Sequence, residues 1–110
     1  MRDSMTIKDL QNGGWRTCIF EPFRDGIEIC WLVTGEPSAA LLKYEAGAGV
    51  PLHRHRGLET ILVLEGSQSD ERGAYYAGDL VINPEGTQHS VHSADGCVVF
   101  IQWEKPVEFL

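Results

Sequence analysis

Residues 53–66 read His53-Arg54-His55-Arg56-Gly57-Leu58-Glu59-Thr60-Ile61-Leu62-Val63-Leu64-Glu65-Gly66, and their spacing decides what backbone carries them. His53 and His55 are two apart. On a β-strand, residues i and i+2 point to one face, so both rings can meet a single ion. On a helix the same pair would stand about 200° apart and could not. Pro51 upstream and Arg56-Gly57 downstream bracket a short extended piece. Glu59 opens the next strand, Glu59 to Glu65, and the intervening turn returns its carboxylate towards the two rings. Gly66 is expected to close that strand at a tight turn.

A second cluster follows the same logic. Gly78-Asp79 leads into the apolar run Leu80-Val81-Ile82, and Asn83-Pro84-Glu85-Gly86 is a strong turn signal. His89 then lies at the start of an alternating stretch, Gln88 to Ser93. For His89 to reach the first cluster, its strand must cross back over the earlier one, which requires a curled sheet or barrel. Two histidines two apart are weak evidence by themselves. The conjunction of Gly47, His53, His55, Glu59 and Gly66 with Gly78, Pro84, Gly86 and His89, all in order, is far more restrictive. His53, His55, Glu59 and His89 are therefore the candidate ligands of one divalent metal ion. Imidazole with carboxylate suits Zn, Fe(II), Mn, Ni or Cu better than Ca or Mg.

Composition is consistent with a small globular chain. At 110 residues it forms one domain, with 43% hydrophobic and 23% charged residues. A formal net charge of −7 disfavours nucleic acid and anionic membrane as partners. The densest basic cluster, His53-Arg54-His55-Arg56, is better explained by metal ligation than by phosphate binding. The segment from Met1 to Ile7 has no apolar core of a signal peptide, and no apolar run approaches membrane-spanning length. Cys18, Cys30 and Cys97 are odd in number, far apart and set in apolar runs. They read as reduced, packed thiols of a cytoplasmic protein.

Nearly every stretch reads as a short strand between Gly, Pro or Asp turns. The expected strands are Trp15–Phe20, Ile27–Thr34, Ala39–Tyr44, Leu52–His55, Glu59–Glu65, Gly73–Tyr76, Leu80–Ile82, Gln88–Ser93, Cys97–Trp103 and Val107–Phe109. Only Ser4–Gln11 reads as a short helix, ended by Gly13-Gly14. The fold expected is all-β, a small single-domain jelly-roll β-barrel over residues 15–110 behind an N-terminal extension, residues 1–14. Runs such as Ile61-Leu62-Val63-Leu64 and Cys97-Val98-Val99-Phe100-Ile101 are apolar at consecutive positions. They call for burial on both faces, or for one face against the barrel interior and one against a partner chain, hence a homodimer. Trp15, Trp31, Trp103 and Tyr44 are expected in the core or an interface, with one or two lining the metal cavity.

The two clusters resemble the paired motifs of the cupin, or RmlC-like, family. The second departs at its last position, where Ser93 stands in place of the family's usual Asn. That Asn is not a metal ligand, so the resemblance still implies a metal held by His53, His55, Glu59 and His89. The short segment between Gly66 and Gly78 implies a minimal barrel. More narrowly, residues 38–102 resemble the cupin domain of ChrR-type anti-sigma factors. The likeness is carried by Ser38-Ala39-Ala40-Leu41-Leu42, Ser69-Asp70-Glu71, Tyr76-Ala77-Gly78, Asn83-Pro84 with Gly86 and His89, and Asp95-Gly96-Cys97. In that family the cupin resembles a sensor, and sigma-factor binding belongs to a separate helical zinc domain ahead of it. With only about a dozen residues before Trp15, direct sigma-factor binding is not expected here.

Four protein ligands leave one or two positions open on an ion that accepts five or six, which suits a small-molecule ligand. With Fe(II), such positions suit a dioxygenase acting on a small oxygenated substrate. With Zn or Mn the ion can act as Lewis acid. In a sensor the vacancy takes an oxidant or a small acid. A sugar epimerase lacks the basic cluster it would need, and a purely structural metal is the remaining alternative. Gln88, Gln102, Thr60 and Tyr44 are the expected partners for the rings' second N–H groups. His92 should face away from His89, and Glu65 lies about 20 Å further along an extended strand than Glu59, so neither should ligate.

Overall fold

The computed structural model describes residues 3–110. It contains ten strands: β1 Glu21–Arg24, β2 Ile27–Val33, β3 Ser38–Tyr44, β4 Gly49–Arg54, β5 Glu59–Asp70, β6 Gly73–Tyr76, β7 Leu80–Asn83, β8 Gln88–His92, β9 Cys97–Trp103 and β10 Glu108–Phe109. All pairings are antiparallel, in the order β1-β2-β3-β9-β5-β8-β4-β10, with β6 and β7 also paired to β5. The sheet is curled, as the placement of His89 required.

Strand β5 makes the curl. Residues 59–66 pair with β9, and residues 59–62 also pair with β7. Residues 67–70 instead pair with β6, and Ser69 meets His92 of β8. Between the two halves the β5–β9 register shifts at Val63/Glu65, and Gly66 takes φ 76°. The expectation that Gly66 ends the strand is therefore corrected. The bulge lies two residues earlier, at Leu64, and Gly66 stands where β5 leaves β9 for β6. A side chain there would also collide with the carbonyl of Gly96, so the position excludes any larger residue.

Alternation fills two cores. Ile27, Ile29, Ala40, Leu42, Ile61, Val63, Val99 and Ile101 point into the barrel. Their chain neighbours on the outer face, Leu41, Leu64 and Val98, form a second cluster beneath Trp15. The doubly apolar strands are thus buried on both faces, and part of the outer covering comes from this chain's own N-terminal segment rather than from a partner.

That segment differs from expectation. No helix spans Ser4–Gln11, and no strand spans Trp15–Phe20. Residues Leu10–Asn12 and Gly14–Thr17 form two 3-10 turns. Gly13, at φ 96°, joins them rather than ending a helix. A 3-10 turn lets Trp15 drop onto Leu41 and Val98, so burial of the indole overrides the strand-like composition. The edge strand β1 was not anticipated, because its residues are all exposed and show no alternation. No helix among the described residues is long and apolar enough to cross a membrane.

The three cysteines are free. Burial pushes the Cys97 thiol up to about 11, partly offset by a hydrogen bond with Ser93. Cys18 is raised by burial and by the adjacent Cys30. Ser93, fully buried, donates to the carbonyl of Ser67 at 2.6 Å, which ties the end of β8 to β5.

Candidate metal centre

Strands β4 and β8 pair so that His53 lies opposite His89. His55 follows β4 directly. Its backbone N–H donates to Thr87 O at 2.8 Å, and its carbonyl accepts from Gly86 N at 2.8 Å. The Asn83–Gly86 turn therefore holds His55 in line with the strand, and His53 and His55 share a face. Glu59 begins β5 and reaches the same point. The ligand atoms of His53, His55, Glu59 and His89 all lie within 4.8 Å of one another, and all four residues are buried. Such a group could hold one metal ion.

The hydrogen bonds around the rings decide their tautomers. His53 Nδ1 faces Pro51 O at 2.8 Å, an oxygen that can only accept. His89 Nδ1 faces Asp70 Oδ2 at 2.9 Å, likewise an acceptor. His55 Nδ1 lies 2.9 Å from Thr87 Oγ1. The Thr87 hydroxyl spends its proton on Pro84 O at 2.7 Å, so it accepts from the ring. Each Nδ1 thus carries its hydrogen, and each Nε2 keeps a lone pair. The Nε2 atoms of His55 and His89 are buried with no donor to meet them, and they face Glu59 Oε2 at 2.8 Å and 3.7 Å, acceptor against acceptor. Orphaned acceptors in a protein interior are costly, and here an ion would satisfy them. The donor set fits a divalent transition metal.

Glu59 is equally fixed. Its Oε2 accepts from Asn83 Nδ2 at 2.9 Å and its Oε1 from Trp103 Nε1 at 3.0 Å. Burial alone would raise the carboxyl, but the neighbouring His55, then Asn83 and His89, outweigh it and hold it below its ordinary value. Asp70 behaves alike: burial raises it, while His89, Tyr75 and the Arg72 backbone bring it below normal. His53 is lowered, mainly by burial, against the opposing pull of the Pro51 carbonyl. Arg72 ties two of these supports, Asn83 and Asp70, together. It donates to Asn83 Oδ1 at 3.0 Å and lies 3.6 Å from Asp70 Oδ2.

These anchors are not the ones expected. Gln88 and Gln102 are exposed, and Thr60 makes no side-chain contact with a ligand ring. Tyr44 is buried in the cavity wall. Its hydroxyl bonds the Gln68 amide and is raised well above the ordinary tyrosine value, chiefly by burial. The partners the rings do find are Pro51, Thr87 and Asp70, with Asn83 and Trp103 on Glu59. His92 is exposed and away from the centre, and Glu65 lies at the surface beside Arg16, 3.4 Å away.

His53, Glu59 and His89 open onto a cavity of about 420 Å³. Its wall is mostly apolar and aromatic, with Phe23, Trp31, Trp103 and Phe109 among the lining residues. Trp31 packs edge-on to Phe23 (6.2 Å between centroids) and tilted against Trp103 (5.9 Å).

Comparisons with known proteins agree with this picture. The profile of one family, the ChrR Cupin-like domain, matches residues 14–106. The anti-sigma-E factor ChrR of Cereibacter sphaeroides is 35% identical over 103 residues, covering 91% of this chain and 46% of that protein. A crystal structure of Rhodobacter sphaeroides SigE in complex with the anti-sigma ChrR superposes with a TM-score of 0.72 at 32% identity, over 78% of this chain and 49% of that one. An acetylacetone dioxygenase from Acinetobacter johnsonii matches with a TM-score of 0.80 at 18% identity, over 100% of this chain and 78% of that one, a likeness of fold. The chain spans less than half the length of the curated relatives it matches.

Proposed function

This chain belongs to the ChrR cupin-like domain family, and on that premise we propose that it is a metal-dependent sensor of a small molecule or oxidant. His53, His55, Glu59 and His89 would hold one divalent ion, Zn, Fe(II), Mn or Ni. The observation that carries this is the set of three Nδ1 anchors, which leaves Nε2 as the ligating atom of each ring. When bound, the ion supplies Lewis acidity and open coordination positions. The chain supplies orientation of the rings, a carboxylate clamped at both oxygens, and a largely apolar cavity open at its rim. No further side chain in that cavity is an evident acid or base, because burial keeps Tyr44 neutral. Binding without turnover is therefore the favoured reading. In this reading the protein acts in the cytoplasm as a homodimer and signals through its own surface or through a separate protein.

A second reading, a dioxygenase acting on a small oxygenated substrate, is favoured by one observation. The cavity reaches His53, Glu59 and His89 directly and is the size of a small metabolite. Oxygen uptake by Fe(II)-loaded protein with small diketones, thiols and hydroxy acids separates the two. A sensor shows no sustained uptake, while its melting temperature shifts when an oxidant or small acid is added. Rapid Fe(II)-dependent uptake that His55→Ala abolishes would make this an enzyme instead.

A further inference from the structure

Among the described residues that line the cavity, Arg24, at the end of β1, is the one cationic side chain of the Lys/Arg type. The other arginines that contact carboxylates, Arg16, Arg54 and Arg72, have partners in Glu65, Glu108 and Asp70. Among the described residues, Arg24 has neither an ion pair nor a side-chain hydrogen bond. Its guanidinium lies 4.9 Å over the ring of Phe109, and that ring in turn packs 5.9 Å from His53. The neighbouring acid Glu108 is engaged by Arg54 at 3.2 Å. An unpaired guanidinium thus stands at the rim of an aromatic cavity, in a chain whose net charge is −7. The contact with Phe109 engages the face of the guanidinium carbon and leaves its N–H groups available.

We infer that Arg24 selects the ligand of this cavity, and that the ligand is a small organic carboxylate with a flat apolar body. The carboxylate pairs with Arg24 at the rim, and the body lies among Trp31, Trp103 and Phe109 beside the metal centre. Planar guanidinium and carboxylate match in two parallel hydrogen bonds, which a neutral amide cannot reproduce. This rests on the reading that the cavity serves the metal centre as its ligand site.

Calorimetric titration of the metal-loaded full chain with phenylacetate and with its neutral amide, phenylacetamide, tests it. Phenylacetate is expected to bind about fivefold more tightly, the scale of a partly exposed ion pair. Arg24→Gln should erase that preference while leaving metal content and amide affinity unchanged, and Arg24→Lys should retain part of it. An acid preference that survives in Arg24→Gln would mean that the carboxylate goes to the ion, and it would overturn the assignment. Equal affinity for acid and amide, or binding of neither, would overturn it too. The same titration in a His53→Ala, His89→Ala chain separates this inference from its premise. If acid preference persists there and still depends on Arg24, while neither chain takes up metal, the metal reading fails and Arg24 stands.

Discussion

Asp70 Oδ2 sits 2.9 Å from His89 Nδ1, although β5 carries the acid and β8 the ring. The contact exists because β5 continues past Gly66 and brings its far end across to β8. One strand thereby delivers a candidate ligand at its start, Glu59, and an anchor for another at its end. Asp70→Asn keeps the shape of the side chain but removes the charge that fixes the ring tautomer. Loss of such an anchor lowers metal affinity by about 10–100-fold. Competition against a chelator of known affinity checks this, and unchanged affinity would show that Asp70 only packs.

Arg72 should matter for the same reason, at one remove. It contacts both Asp70 and Asn83 and so couples the supports of His89 and Glu59. Arg72→Ala is expected to weaken metal binding less than Asp70→Asn, because the arginine is half exposed and water can replace it. The double variant should lose less than the sum of the two single losses, since both act through one network. Fully additive losses in the same chelator assay would count against that coupling.

The candidate ligands are legible in the sequence and their supports are not. His53-Arg54-His55 carries its meaning locally, because two residues on a strand share a face whatever lies beyond. His89 followed once the sheet was taken to curl. Gln88 and Gln102 carry the right chemistry to anchor a ring, yet side-chain alternation turns both outward. Thr87 and Asn83 lie in and beside a turn that reads as punctuation, although Asn83 pairs directly opposite Glu59. Asp70 was hidden by reading Gly66 as a stop. The N-terminal segment misled for another reason: the aromatic composition that suggests a strand also suits a 3-10 turn folded onto an apolar sheet.

Acid should release the ion and then loosen the fold. Burial holds His53 below its ordinary 6.5, so this ring stays neutral further into acid than a free imidazole. In the unfolded chain it takes up its proton near 6.5, so between the two values the unfolded state holds more protons. Stability therefore falls as pH drops through that window. Glu59 and Asp70, held below their ordinary 4.5 and 3.8, add stability that is present above those values and lost below them. Thermal melts of metal-free protein from neutral pH towards 4 should show a continuous decline, and metal-loaded protein a steeper one. A flat profile in both forms would contradict the assigned directions.

Association has a specific surface to test. On the edge strand β7, Leu80 and Ile82 are 61% and 45% exposed, beside Leu62 and Thr60 of β5. Light scattering at micromolar concentration is expected to return twice the 12.2 kDa chain mass. Leu80→Glu with Ile82→Glu should return the monomer without loss of metal. A wild-type monomer would refute the dimer.

Three imidazoles and one carboxylate are expected to hold a single ion. Anomalous diffraction from crystals of the metal-loaded chain, collected at the absorption edge of that metal, tests it most directly. One peak per chain is expected, about 2.0–2.2 Å from His53, His55 and His89 Nε2 and from a Glu59 oxygen. The peak should be absent in His53→Ala, His89→Ala and retained in His92→Ala. A peak elsewhere, or one that persists in the double variant, would contradict it.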